Sequence, residues 1–173
     1  MIIEGLQKLT LLDFPGYVAC TVFTHGCNFR CPFCHNAGLV IGKPSDNINA
    51  EEDFWKLLDR RKGVIEGVVI TGGEPLLQDE LDELIRLLTI QGNRVEIETN
   101  GSIALDSLAH SAHRPVFTMD YKLPSSGMEI AMRKDNFRLL CPHDTVKFVA
   151  GTLTDLEHAH YLIEEHNLDR LCR

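Results

Sequence analysis

No stretch of this sequence approaches the roughly 18 consecutive apolar residues that a membrane-spanning helix requires. The first residues carry neither the basic segment nor the small-residue cleavage site of a secretory signal. The expected compartment is therefore the cytoplasm, and no membrane is expected as a partner. Positive charge is scarce: 17 Lys and Arg stand against 25 Asp and Glu, for a net charge of −8. A surface that tracks nucleic acid needs a basic patch, so nucleic acid is not an expected partner either. Repeats, low-complexity tracts and an interdomain linker are missing. The 173 residues, 44% of them hydrophobic, suffice for one domain with its own core. A single domain over residues 1–173 is expected, with residues 1–16 as an N-terminal extension that turns at Asp13-Phe14-Pro15-Gly16.

What is present is an alternation of strand and helix signals. Residues 17–24 are rich in β-branched and apolar types. Residues 68–70, 94–98, 116–119 and 146–149 give four more short runs of the kind found in strands buried on both faces. Between them, Phe54, Leu57 and Leu58 share one helix face, with Asn49 as cap, Glu52 three residues on and Gly63 as stop. Leu81, Leu84, Ile85 and Leu88 mark a second helix, ended by Gly92. Thr154 and Glu157 read as a capping box ahead of Leu156, Ala159, Leu162 and Ile163. The segments after Ser102 and Pro124 also read as helical, the second interrupted by Ser125-Ser126-Gly127. A further strand is expected near Asp169. Such alternation implies βαβ units and a parallel sheet, curled by right-handed crossovers. The fold class is α/β: a partial, open parallel (β/α) barrel of about five to six βα units, short at its C-terminal end, too few to close an eight-stranded barrel.

Six cysteines occur, at positions 20, 27, 31, 34, 141 and 172. Clustered cysteines in a reducing compartment point to metal or redox chemistry rather than disulfides. Cys27-Asn-Phe-Arg-Cys31-Pro-Phe-Cys34 directly follows the first of these strands, and sites in parallel α/β folds gather at carboxyl ends of strands. Thiolates select zinc or iron–sulfur clusters. A structural zinc site wants four ligands, and His25 or His35 would complete the set. A cubane cluster wants one ligand per iron, so three cysteines leave one iron open.

Later strand ends are polar as well. Gly72-Gly73-Glu74-Pro75 has two glycines that permit close backbone approach and a carboxylate able to accept from an ammonium group; a plain strand-to-helix turn is the alternative. Glu98-Thr99-Asn100-Gly101 reads as a ligand-facing end or as an ordinary Asn-Gly turn. Asp120-Tyr121-Lys122 offers a cation or a surface ion pair. Lys147 and Val149 share a strand face; Val149 reads as core, with a contact to a bound adenine as the alternative, and a Lys147 inside a barrel needs a partner. Cys20, Cys141 and Cys172 read as structural or incidental, and His110, His113, His158, His160 and His166 as surface helix residues.

The CxxxCxxC spacing after a first strand resembles the signature of the radical SAM superfamily. The wider stretch GLQKLTLLDFPGYVACTVFTHGCNFRCPFCHNA is similar to one branch, the activating proteins of anaerobic ribonucleoside-triphosphate reductases, relatives of the pyruvate formate-lyase activating enzymes. The resemblance covers nearly the whole chain, and LLDFPG and Cys34-His35-Asn36 carry the narrowing. It implies a barrel of the radical SAM type and two cofactors, a 4Fe-4S cluster held by Cys27, Cys31 and Cys34, and S-adenosylmethionine (SAM) on the fourth iron. Such enzymes split SAM into methionine and a 5′-deoxyadenosyl radical. The resemblance also implies that Phe33 lies near the adenine and that His35 contacts or supports SAM. Gly72, Gly73 and Glu74 would meet its amino group. Thr99 and Asn100 would face the ribose or methionine part, and Asp120 and Lys122 the carboxylate and ribose. Amides between Asn28 and Phe33 are candidate donors to the cluster sulfurs; for Phe29 and Phe33, packing is the alternative.

The function implied by that branch is an anaerobic one, the activation of a glycyl-radical enzyme by hydrogen abstraction from a backbone glycine. The implied partners are an anaerobic ribonucleotide reductase and, as electron donor, reduced flavodoxin or ferredoxin. Two rivals stand beside it. One is a radical SAM enzyme acting on a small molecule, such as a 7-carboxy-7-deazaguanine synthase, against which LLDFPG and CHN speak. The other is a non-catalytic iron–sulfur or zinc-binding module. Relatives usually run past the equivalent of Leu171. The lack of a second cysteine cluster excludes members with an inserted ferredoxin-like segment.

Overall fold

Six strands and six helices form among the residues that the computed structural model describes, 1–44 and 49–173. They fall into two units, one of residues 1–28 and 36–98, the other of residues 29–35 and 99–173.

In the first unit, β1 (Ile3–Thr10) runs antiparallel to β2 (Ala19–Thr24). Helices α1 (Ala37–Ile41) and α2 (Ala50–Arg60) follow, then β3 (Gly67–Gly72), α3 (Leu81–Ile90) and β4 (Arg94–Thr99). β2 pairs parallel with β3, Ala19 opposite Gly67 through Thr24 opposite Gly72, and β3 pairs parallel with β4. The continuous apolar runs are buried on both faces: Ala19, Cys20, Val22, Val68, Val69, Ile70 and Ile97 are wholly inaccessible. Phe54, Leu57 and Leu58 of α2 and Leu81, Leu84, Ile85 and Leu88 of α3 are buried as their spacing implies. Each such side chain contributes about 1.5–3 kcal/mol. α3 stops before Gly92, whose φ of 91° suits glycine. The N-terminal extension is more ordered than its sequence suggests, since β1 borders β2. Its turn is fixed by Tyr17 N–H donating to the Phe14 carbonyl at 3.1 Å and by the Thr21 hydroxyl donating to Asp13 at 2.7 Å.

The second unit has α4 (Asp106–Ala109), β5 (Val116–Tyr121), β6 (Thr145–Phe148), α5 (Leu153–His166) and α6 (Leu168–Leu171). β5 and β6 are parallel, with Asp120 opposite Lys147. Tyr121 stacks on Phe137 at 5.4 Å and lies 5.7 Å from Phe148. The Asp144 carboxylate, with no exposed surface, accepts from Arg114, Phe117 N–H and Cys141 N–H.

Three expectations change here. The segment after Pro124 is not an α-helix but 3₁₀ turns at Pro124–Ser126, Glu129–Ala131 and Lys134–Leu139, because Gly127 turns the backbone left-handed at φ 69°. The capping box of α5 is Thr152 with Asp155, two residues before the pair expected. The segment near Asp169 is α6, not a strand. Asn167, at φ 51°, ends α5 and allows the chain to start again as helix. Strand-like pairing starts only at Arg173, whose N–H donates to the Asp144 carbonyl and whose carbonyl accepts from Val146 N–H, both at 2.9 Å.

Only β1 runs antiparallel among the strand pairs described, and six strands fall short of the eight that close a barrel. The α/β class, with parallel strands too few for closure, is the one that the alternating pattern implied. No helix among the described residues is long and apolar enough to cross a membrane.

Candidate functional site

The first unit fixes the base of the cysteine loop mainly through backbone. Just past β2, His25 N–H donates to the Ile2 carbonyl at 3.2 Å and Gly26 N–H to the Leu39 carbonyl at 2.8 Å. The Gln78 amide donates to the His25 carbonyl at 2.9 Å, and His25 Nδ1 lies 2.6 Å from the Glu4 carboxylate. Past β3, Gly73 N–H donates to the Thr24 carbonyl at 3.0 Å and Glu74 N–H to the Gly26 carbonyl at 2.7 Å. A Cβ on Gly73 would stand 1.9 Å from the Gly26 oxygen, and one on Gly72, at φ 109°, would stand 2.7 Å from Thr24 N. The paired glycines therefore let two strand ends touch and so set where Cys27 begins. Glu74 is buried, and one carboxylate oxygen accepts from Leu76 N–H at 3.0 Å, capping the 3₁₀ turn Pro75–Leu77. Glu98 accepts from the Thr71 hydroxyl at 2.6 Å.

The second unit holds its polar strand ends through side chains. Cys34 N–H donates to the Cys31 carbonyl at 3.2 Å, so both thiols belong to one tight turn. Phe29 is buried, as packing requires, whereas Phe33 is 36% exposed and His35 is exposed. Arg30 N–H donates to the Met128 thioether at 3.4 Å. Thr99 and Asn100 are buried, and their oxygens accept from Gly101 N–H at 3.1 Å and Ser102 N–H at 2.9 Å. These side chains hold the Asn-Gly turn. Lys122 Nζ lies 2.6 Å from Asp120 Oδ2, while Asp120 Oδ1 is buried with no hydrogen-bond partner among the described residues. Lys147 is exposed rather than interior, and Val149 is 47% exposed rather than core.

Cys27, Cys31 and Cys34 form no disulfide, and each is partly exposed. Among the described residues, no three His, Cys, Asp or Glu side chains already stand together as a metal site. The donor set nevertheless suits a soft metal: three unbridged, solvent-reachable thiols within eight residues, two sharing one turn. Cys20 differs, since burial pushes its thiol up to about 12 and leaves it a packing residue. His158 is more than a surface residue, being paired with Glu129. Gln78, Met128 and Asn136 were missed in the sequence because no motif marks them. Asn136 donates to the carbonyls of Gly101 and Ile103 and accepts from Leu105 N–H.

Residues 21–126 match the model of the radical SAM superfamily, and the chain belongs to that superfamily. It is a radical SAM enzyme, and its cofactors are those of the family, a 4Fe-4S cluster and SAM. Among named relatives, it is 40% identical over 168 residues to a 7-carboxy-7-deazaguanine synthase from Clostridium acetobutylicum, covering 96% of this chain and 72% of that protein. It is 37% identical to a pyruvate formate-lyase-activating enzyme from Clostridium pasteurianum, but over 106 residues, 57% of this chain and 43% of that one. In structure it resembles QueE from Escherichia coli, with a TM-score of 0.69, 24% identity, and coverage of 94% of this chain and 76% of the other.

These comparisons overturn the reading as an activator of glycyl-radical enzymes, and with it the partner ribonucleotide reductase. The likeness to an activating enzyme stops at about half of the chain, whereas the likeness to a small-molecule enzyme runs through 96% of it. LLDFPG and CHN are short local segments, one in the turn before β2 and one at the end of the cysteine loop, and they do not outweigh a likeness sustained along the chain.

Proposed function

We propose that this chain is a radical SAM enzyme acting on a small molecule, of the 7-carboxy-7-deazaguanine synthase kind. The observation that carries the reading is the 40% identity sustained over 96% of the chain and 72% of the Clostridium acetobutylicum protein. Cys27, Cys31 and Cys34 would each hold one iron of the cluster, and Phe33, His35, Gly72, Gly73, Glu74, Thr99, Asn100, Asp120 and Lys122 would form the surroundings of SAM. When bound, the two cofactors together supply a strongly hydrogen-abstracting 5′-deoxyadenosyl radical. The chain's own part is positional. Gly72 and Gly73 let Glu74 cap its turn beside the base of the cysteine loop. Lys122 holds Asp120 by one oxygen and leaves Oδ1 to accept from a bound donor such as a ribose hydroxyl.

The test is production of 7-carboxy-7-deazaguanine. The gene would be expressed in a bacterial strain lacking its own 7-carboxy-7-deazaguanine synthase, and the compound measured by mass spectrometry. Its appearance, dependent on Cys31, is the expected result. Its absence from cells that hold the folded, iron-loaded protein would overturn the reading.

A further inference from the structure

Two cysteines outside the cysteine loop are brought to one residue, Asp144. Cys141 N–H donates to the Asp144 carboxylate at 2.8 Å, and Asp144 N–H donates back to the Cys141 carbonyl at 2.8 Å. From the other side, Arg173 N–H donates to the Asp144 carbonyl at 2.9 Å, and the Arg173 carbonyl accepts from Val146 N–H at 2.9 Å. Cys172 therefore runs beside the start of β6. Its N–H and its thiol both donate to the Leu168 carbonyl, at 3.0 Å and 3.5 Å. Cys141 and Cys172 belong to the same unit, neither forms a disulfide, and each is partly exposed.

The chemistry of the pair follows from that placement. Burial raises the Cys172 thiol, and the Asp144 carboxylate and Cys141 raise it further, while a hydrogen bond with the Val146 backbone opposes the shift. Cys141 and Cys172 thus feel each other's charge beside a carboxylate that is itself wholly buried. A disulfide carries no charge and has no proton to lose, so it escapes the burial and repulsion that penalise a thiolate there. Little is given up in forming it. The Asp144 carboxylate keeps Arg114, Phe117 N–H and Cys141 N–H, and the Leu168 carbonyl keeps Cys172 N–H, losing only a weak thiol donor.

We propose that Cys141 and Cys172 are a modification site, a thiol pair that a low-molecular-weight disulfide such as oxidised glutathione converts into a reversible disulfide. One protein thiolate attacks a glutathione sulfur, forming a mixed disulfide and releasing one glutathione thiol. The other thiolate attacks the protein sulfur of that mixed disulfide and releases the second glutathione thiol. The two protein thiols lose two electrons and two protons, and one oxidised glutathione gains them. The loop so closed contains β6, α5 and α6, and the bridge staples it by restricting the unfolded chain. The site is independent of the substrate of the enzyme.

The experiment uses cluster-loaded protein, treated anaerobically with oxidised glutathione. Remaining thiols are alkylated, and peptides are read by mass spectrometry. A bridge requires Cα atoms within about 7 Å, so the linkage reports the juxtaposition directly. The wild type is expected to give a peptide pair joining Cys141 to Cys172 that dithiothreitol separates. Its Tm should rise by roughly 5 °C or more over the reduced protein. Cys172→Ser should stop at glutathione on Cys141, with no linked pair and no such rise in Tm. Three results overturn the proposal: no link between Cys141 and Cys172 in the wild type, glutathione retained on both cysteines, or a linked protein that melts at the temperature of the reduced one.

Discussion

The two units secure their strand ends by opposite means. In the first, the base of the cysteine loop is held by main-chain bonds from His25 to Ile2, Gly26 to Leu39, Gly73 to Thr24 and Glu74 to Gly26, and the side chains that matter most are the ones glycine lacks. In the second, buried polar side chains hold the chain: Asn136 gathers Gly101, Ile103 and Leu105, Asp144 gathers Arg114, Phe117 and Cys141, and Asp155 gathers Ser125, Gly151 and Thr152. A main-chain clamp fails by steric insertion. A side-chain hub fails by deletion, because each group it served is left unsatisfied.

The strongest challenge to this contrast lies in the cysteine loop, which contributes Cys27 to one unit and Cys31 and Cys34 to the other. Replacing any of the three with Ala is expected to abolish stable iron loading, whereas Cys141→Ala leaves it intact. Iron and sulfide analysis after anaerobic reconstitution decides. Equal loading in all four variants would remove the ligand assignment.

Next in size is the hub at Asp144. Asp144→Ala leaves the Arg114 guanidinium, only 24% exposed, without its carboxylate and strips acceptors from two backbone amides. Breaking such a buried pair from one side costs about 3–5 kcal/mol. Urea unfolding would measure it, and a loss below 1 kcal/mol would show that the hub is redundant. Gly73→Val probes the opposite device. With a contact of 1.9 Å to relieve, it should cost about 3 kcal/mol and lower iron content as well, since the displaced oxygen belongs to Gly26, next to Cys27. Gly127→Ala, with nothing within 4 Å of its Cβ, carries only the left-handed backbone penalty of about 1 kcal/mol. If both glycine variants cost the same, close approach at Gly73 is not what holds the loop.

Much of this arrangement was legible before any coordinates. Five strands and the helices α2 and α3 follow from runs and spacings, because burial on both faces or on one stripe leaves a periodic trace. The cysteine loop was legible because its three thiols fall within eight residues directly after a strand. β1 was not, since its sequence Ile3–Thr10 alternates poorly and it lies beside only β2. The hubs were invisible for a different reason. A lone Asn or Asp looks the same whether it faces water or gathers amides from 30 residues away. Asn100 shows the limit in the other direction: its motif was plain, but whether its oxygen serves a ligand or its own turn depends on geometry that the motif does not encode.

The mildest test concerns the start of α5, where side-chain capping can be titrated. Thr152→Ala removes an N-cap oxygen that accepts from Asp155 N–H at 3.1 Å and should cost about 1 kcal/mol. Asp155 answers the pH. Hydrogen bonds from Ser125, then from Gly151 and Thr152, hold its carboxyl well below the usual carboxylate range. A carboxyl depressed in the folded state stabilises fully above its unfolded value, about 3.9, and loses that contribution as pH falls below it toward the folded value. Asp155→Asn should therefore be less stable than wild type at pH 7, and the gap should narrow as the pH is lowered below about 4. Thr152→Ala, whose lost acceptor does not titrate, should show a gap that changes far less. Parallel acid dependence in the two variants would mean that the carboxylate acts only as one more cap, and that the hub at Asp155 is no different in kind from the main-chain clamp at Gly26.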